Sequence, residues 1–123
     1  MDIKAVINKL IERTKLSILK WNYLDSLPQL CNKVYNEFNI SPMNKNSFFT
    51  KINDGYFILV NDEDNEELYL IVFPTIDSRD TEIINYIDND LLYQDELLRL
   101  LNLVKKQYPN VDDVISNFMN DKF

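Results

Sequence analysis

The chain has 123 residues, 46% of them hydrophobic and 12% aromatic, which suits one domain, residues 1–123, with a real core. Histidine is absent, Cys31 is the only cysteine and Gly55 the only glycine. Within one chain this excludes Ser-His-Asp and Cys-His mechanisms, histidine-ligated or multi-thiolate metal centres, an internal disulfide and a glycine-rich phosphate loop.

The net charge of −7 is unevenly spread: residues 1–60 carry eight bases against five acids, whereas residues 61–123 carry five against fifteen. The second half therefore repels nucleic acid and favours a basic protein partner. No apolar run reaches the roughly 18 to 20 residues of a membrane span, and Met1-Asp2-Ile3-Lys4 lacks the order of a signal peptide, so a cytoplasmic location with no membrane contact is expected. The wealth of Asn, Ile, Lys and Asp reads as AT-rich coding, as in a low-GC bacterium or its mobile elements.

In chain order, Asp2 is positioned to cap a helix whose apolar stripe is Ile3, Val6, Ile7, Leu10 and Ile11, ending near Lys15. Leu16 to Trp21 either continues it or runs extended into a sheet, and Trp21 is expected to anchor the core. Ser26-Leu27-Pro28-Gln29 has the spacing of a capping box with Ser26 as N-cap, opening a second helix with the stripe Leu27, Leu30, Cys31, Val34, Tyr35 and Phe38. On that stripe Cys31 reads as a buried small hydrophobe rather than a reactive thiol. Asn39 to Lys45, with Pro42, is the linker that follows.

Asn46 to Ile76 is the organising stretch. Runs of strand length at Asn46–Ile52, Tyr56–Val60 and Glu67–Ile76 are separated by Asn53-Asp54-Gly55 and by the acidic run Asn61–Glu66, the pattern of an antiparallel meander. A calcium loop would need glycine at its sixth position and an acid at its twelfth; counting from Asn61 these are Glu66 and Val72, and from Asp62 they are Glu67 and Phe73. The acidic run is therefore read as a solvated hairpin tip with no metal.

Phe57–Val60 and Leu68–Phe73 are apolar at nearly every position, so either the chain's own helices cover both sheet faces, or one face is covered by a second copy in a homodimer or by a different partner. After Pro74, a fourth edge strand is expected at Glu82–Ile87. Asp88 or Asn89 caps a long helix from Asp90 to Gln107, with the stripe Tyr93, Leu97, Leu100, Leu101, Val104 and Tyr108, acids at its start and Lys105 and Lys106 at its end. Beyond Pro109, a short helix capped by Asn110 or Asp112 is expected to turn Val111, Val114, Ile115, Phe118 and Met119 inward. The fold expected is α+β: a three- or four-stranded antiparallel meander packed against N-terminal and C-terminal amphipathic helices.

Leu10-Ile11-Glu12-Arg13-Thr14-Lys15, Leu19-Lys20-Trp21, Phe48-Phe49-Thr50, and Leu97-Leu98-Arg99-Leu100 leading to Val111-Asp112 together resemble a pattern in small proteins of unknown function from low-GC Gram-positive bacteria. Such proteins combine a helix, a tryptophan, a short meander and a C-terminal helix pair. The resemblance covers about half the chain, which departs from it by inserting the Ser26–Phe38 helix, and it implies no catalytic residues.

Without histidine, an enzyme would need paired carboxylates, an oxygen-ligated cation, or a lysine or tyrosine acting as acid or base. Nothing marks out such a pair among the many acids, so neither catalytic residues nor a cofactor is expected. The function expected is a non-enzymatic interaction module, an acidic inhibitor or immunity-type protein meeting a basic partner. Its contact residues would be Asp62, Glu63, Asp64, Glu66 and Glu67 at the tip, helped by Asp77, Asp80 and Asp88. The alternative is a homo-oligomeric structural or accessory protein of a mobile-element or phage pathway, without direct nucleic-acid binding.

Overall fold

A computed structural model describes residues 2–39, 46–53, 55–73, 86–88, 93–108 and 111–120. Helix α1 (Ile3–Lys15) starts where Asp2 Oδ1 accepts the Ala5 amide proton at 3.1 Å, the N-cap expected. It buries Ile3, Ile7, Leu10 and also Thr14, and ends in a turn that places Ser17 at φ 59°. Strand β1 (Asn22–Tyr23) follows Trp21 directly.

Helix α2 (Pro28–Phe38) does not begin on the capping box. Residues Leu24–Ser26 form a 3₁₀ turn, the Ser26 hydroxyl donates to the Tyr23 carbonyl at 2.6 Å, and Leu27 occupies the N-cap position without a side-chain bond. The serine is used one turn early, and Pro28, with no amide proton to satisfy, opens the helix. Leu30, Cys31 and Val34 are buried along the expected stripe, while Tyr35 is half in solvent.

Strands β2 (Phe48–Ile52), β3 (Gly55–Asp62), β4 (Glu67–Phe73) and β5 (Tyr86–Asp88) form the meander, and β1 adds a two-residue edge. All neighbours are antiparallel, in the order β1-β2-β3-β4-β5. Ile52 pairs with Gly55 across a two-residue connection, and Gly55 lies within the strand and not at positive φ. Among the described residues of the meander, the left-handed one is Glu66, at φ 54° in the β3–β4 tip. Of the fourth strand expected at Glu82–Ile87, residues 82–85 lie outside the described residues, and β5 runs one residue past its end.

Helix α3 (Gln94–Lys106) has Tyr93 at its N-cap position; residues 89–92, which include one of the expected caps and the expected start at Asp90, lie outside the described residues. Asp95 and Glu96 open it and Lys105 and Lys106 close it, as its dipole favours.

Both sheet faces are covered within the chain. Strand alternation sends Phe48, Leu59, Leu68 and Leu70 to a core built with Trp21 and the buried faces of α1 and α3. Phe49, Ile58, Val60, Ile71 and Phe73 go to a second core closed by Leu24 and by Leu30, Cys31 and Val34 of α2. The two-faced apolar pattern of β3 and β4 thus reflects burial between two helical layers.

Helix α4 (Val111–Asn120) corrects an expectation. Four of the five apolar residues expected to face inward do not: Val114 and Ile115 are each 54% exposed, Phe118 65% and Met119 72%, while the Val111 side chain lies outside those described.

Two glutamines fasten α3 at its ends. Gln94 Oε1 accepts the Leu68 amide proton at 2.9 Å, and its Nε2 donates to the Leu68 carbonyl at 3.0 Å, so one carboxamide extends the pairing of β4 as a further strand residue would. Gln107 does the same to the segment before β1, accepting from Trp21 N at 3.0 Å and donating to the Leu19 carbonyl at 2.9 Å. The Tyr108 hydroxyl donates to the Trp21 carbonyl and lies 2.9 Å from Asn22 Oδ1. The indole Nε1–H of Trp21 donates to Thr14 Oγ1 at 2.9 Å.

Candidate functional site

The β3–β4 hairpin carries the acidic run to one end of the sheet. Asp62 pairs with Glu67 across the last rung, and residues 63–66 turn the chain. Asp62 is used inside that turn: its Oδ1 accepts from Asn65 N at 3.3 Å and its Oδ2 from Asn65 Nδ2 at 2.8 Å. This is the local bonding by which aspartate and asparagine stabilise turns. Glu67 Oε2 accepts from the Tyr69 hydroxyl at 2.7 Å, and Glu63 Oε1 accepts from Asn46 Nδ2.

Three of the five expected tip acids are thus engaged within the chain. Asp64 and Glu66 stand exposed beside them. The αL backbone of Glu66 is an unusual place for a non-glycine residue, and it is where the turn must tighten back into β4.

The Leu68–Gln94 pairing brings the start of α3 to this tip. Between them runs an open groove of about 410 Å³, walled by Glu63, Glu66 and Asp95, with Leu68, Leu98 and Leu101 along its apolar side and Lys105 at its far end. Leu98, half exposed, widens the apolar side. Carboxylates over a leucine floor offer a basic, partly apolar side chain both charge and contact; in an exposed site the charge chiefly governs encounter rate and discrimination.

The structure therefore separates the eight residues expected from sequence. Glu63 and Glu66 line the groove, Asp64 is close by in the turn, and Asp62 and Glu67 shape it. Asp88 lies in β5, paired through the backbone with Leu70. Asp77 and Asp80 lie outside the described residues.

Asp95 and Leu98 were missed as site residues. Asp95 is legible in sequence only as a helix-dipole acid, and Leu98 only as a widening of the α3 stripe; their nearness to the tip depends on Gln94, which carries no sequence signature. Cys31 is buried, its thiol donating to the Leu24 carbonyl at 3.1 Å, and burial, helped by the nearby negative charge of Asp25, pushes its pKa up. A thiol held protonated in this way is a structural one.

Comparison of the chain with protein-family models, with curated proteins and with solved structures yields no match.

Proposed function

We propose that the protein is a non-enzymatic binding module of the acidic inhibitor or immunity type, which engages a basic protein partner through the hairpin tip and the first turn of α3. One observation carries the reading: Glu63, Glu66 and Asp95, from two elements far apart in sequence, converge on one groove with an exposed leucine at its side. The contact set is Glu63, Asp64, Glu66, Asp95 and Leu98, with Asp62, Glu67 and Gln94 holding it in shape. Charge concentrated at one end of the molecule would speed association with a basic surface.

The test is capture from the native host on the tagged chain, compared with a bait carrying Asp64→Asn, Glu66→Gln and Asp95→Asn. All three side chains are solvent-facing, and the triple variant is expected to unfold within about 0.5 kcal/mol of wild type. A basic partner is expected on the wild-type bait, reduced at least tenfold on the amide bait and released by salt. A partner retained equally by both baits refutes the reading. The alternative, a homo-oligomeric structural or accessory protein, is favoured by a different observation, the outward apolar face of α4.

A further inference from the structure

The end of the sheet opposite the acidic tip is open. Helix α3 packs along α1 and over β4, and beside α1 the β2–β3 end keeps a cleft of about 450 Å³. Its floor is Val6, Leu10, Leu19 and Phe57, where the first core reaches the surface, and its rim carries Lys9 and Arg13, one helical turn apart on α1. An apolar depression edged by two cations suits an amphipathic helix bearing acids.

The chain supplies such a helix. Helix α4 exposes Val114, Ile115 and Met119 by 54%, 54% and 72%, and between residues 111 and 120 it carries Asp112 and Asp113 and no base. An amphipathic helix with these apolar residues exposed lacks the burial that normally stabilises such a face. Tyr108, bonded to Trp21 and Asn22 just before α4 begins, holds the root of this helix at the β1 edge of its own chain.

We infer that α4 of a second copy occupies the α1 cleft, and that the exchange is reciprocal, giving a two-fold dimer in which each chain contributes one helix and one groove. A self-complementary pair of this kind closes on itself. The inference is independent of the acidic-tip reading: it specifies the homo-oligomeric one and involves none of the tip residues.

Sedimentation velocity over a range of concentrations tests it, because Lys9, Arg13 and Met119 are exposed in the free chain and circular dichroism can verify that every variant folds. The wild type is expected to dimerise. Met119→Asp, the groove variant Lys9→Glu/Arg13→Glu, and the helix variant Asp112→Lys/Asp113→Lys are each expected to raise the dissociation constant at least tenfold. Mixing the groove and helix charge variants pairs an acidic groove with a basic helix at one contact and a basic groove with an acidic helix at the other. The heterodimer is therefore expected to recover most of the wild-type affinity.

A wild type that stays monomeric at several hundred micromolar overturns the inference, including the case in which α4 folds onto its own groove. A dimer unaffected by all three variants also overturns it, while leaving homo-oligomerisation through another surface in place. Loss of partner capture by the tip variant with an intact dimer separates the two proposals.

Discussion

Removing the Gln107 carboxamide probes how the C-terminal end of α3 is held. It bridges Trp21 N–H and the Leu19 carbonyl, 86 and 88 residues away in sequence, and all three groups are part-buried. Gln107→Ala removes two neutral hydrogen bonds, each contributing about 1 kcal/mol net, and leaves two backbone groups short of partners at some further cost. The expected loss is about 2 to 3 kcal/mol, which for a chain of this length lowers the melting temperature by roughly 10 °C.

Gln107→Glu sharpens the test. It keeps the acceptor for Trp21 N–H but sets a carboxylate oxygen against the Leu19 carbonyl. The protonated acid can donate to that carbonyl, so its pKa in the folded state lies above the unfolded value of about 4.3. The stabilising bond is fully present below the unfolded pKa and is lost as pH rises through the folded pKa. Relative to wild type, Gln107→Glu is therefore expected to be nearly neutral at pH 4 and at least as destabilised as Gln107→Ala at pH 7. Urea unfolding followed by Trp21 fluorescence at both pH values measures this, since Trp21 is the only tryptophan and is fully buried. A Gln107→Ala variant within about 0.5 kcal/mol of wild type, or a Gln107→Glu variant that parallels wild type at both pH values, would refute the bridging role.

Two further outcomes follow from burial. Ile58 and Leu59 are adjacent on β3, each fully buried and each facing a different core, so truncation of either to alanine is expected to cost about 2 to 5 kcal/mol by urea unfolding. A loss below about 1 kcal/mol at Ile58 would show that α2 does not close its face of the sheet. Cys31 is expected to resist a thiol reagent such as Ellman's until the chain unfolds. Because its thiol pKa is raised in the folded state, its contribution to stability is intact below the unfolded thiol pKa and is lost as pH rises through the folded value. Cys31→Ala is expected to remove that alkaline component, and fast labelling of the native thiol would contradict the buried placement.

Most of the architecture was legible because it rests on local periodicity. The α1 stripe and its Asp2 cap, the three main strands and the charge order of α3 all appear as short-range patterns that the structure keeps. What failed was what local pattern leaves open. Ser26 had the spacing of a cap, but the preceding 3₁₀ turn offered its hydroxyl the Tyr23 carbonyl instead. Thr14 lies four residues beyond Leu10 on the α1 stripe, and its buried hydroxyl is satisfied by the indole of Trp21, which the chain brings back to α1 after the turn at Ser17. The helical spacing in α4 is regular, but periodicity identifies an apolar face without saying what covers it, and here its exposed residues meet solvent. The site divides in the same way: the acids of the tip can be read from composition, whereas Asp95 and Leu98 join them through the long-range bonds of Gln94.

The two proposed surfaces meet opposite demands and occupy opposite ends of one strand. β3 runs for eight residues, roughly 26 Å, from the turn beside the cationic groove to the acidic tip. Filling the groove with an acid-bearing helix pairs Lys9 and Arg13 with negative charge while leaving both acidic tips uncovered. The assembled dimer would therefore present a more uniformly negative field than the isolated chain and offer two equivalent tips to a basic partner, so that dimerisation and partner binding support each other without sharing a residue. Salt distinguishes the two contacts. The exposed carboxylates of the tip are screened within a Debye length of about 8 Å at physiological ionic strength, so partner affinity is expected to fall steeply between low and high salt. The α4 contact buries apolar surface around only two charge pairs and is expected to persist through the same range. If the dimer dissociated with salt as readily as the partner complex, charge rather than burial would be holding it, and the apolar floor of the groove would have no part in the contact.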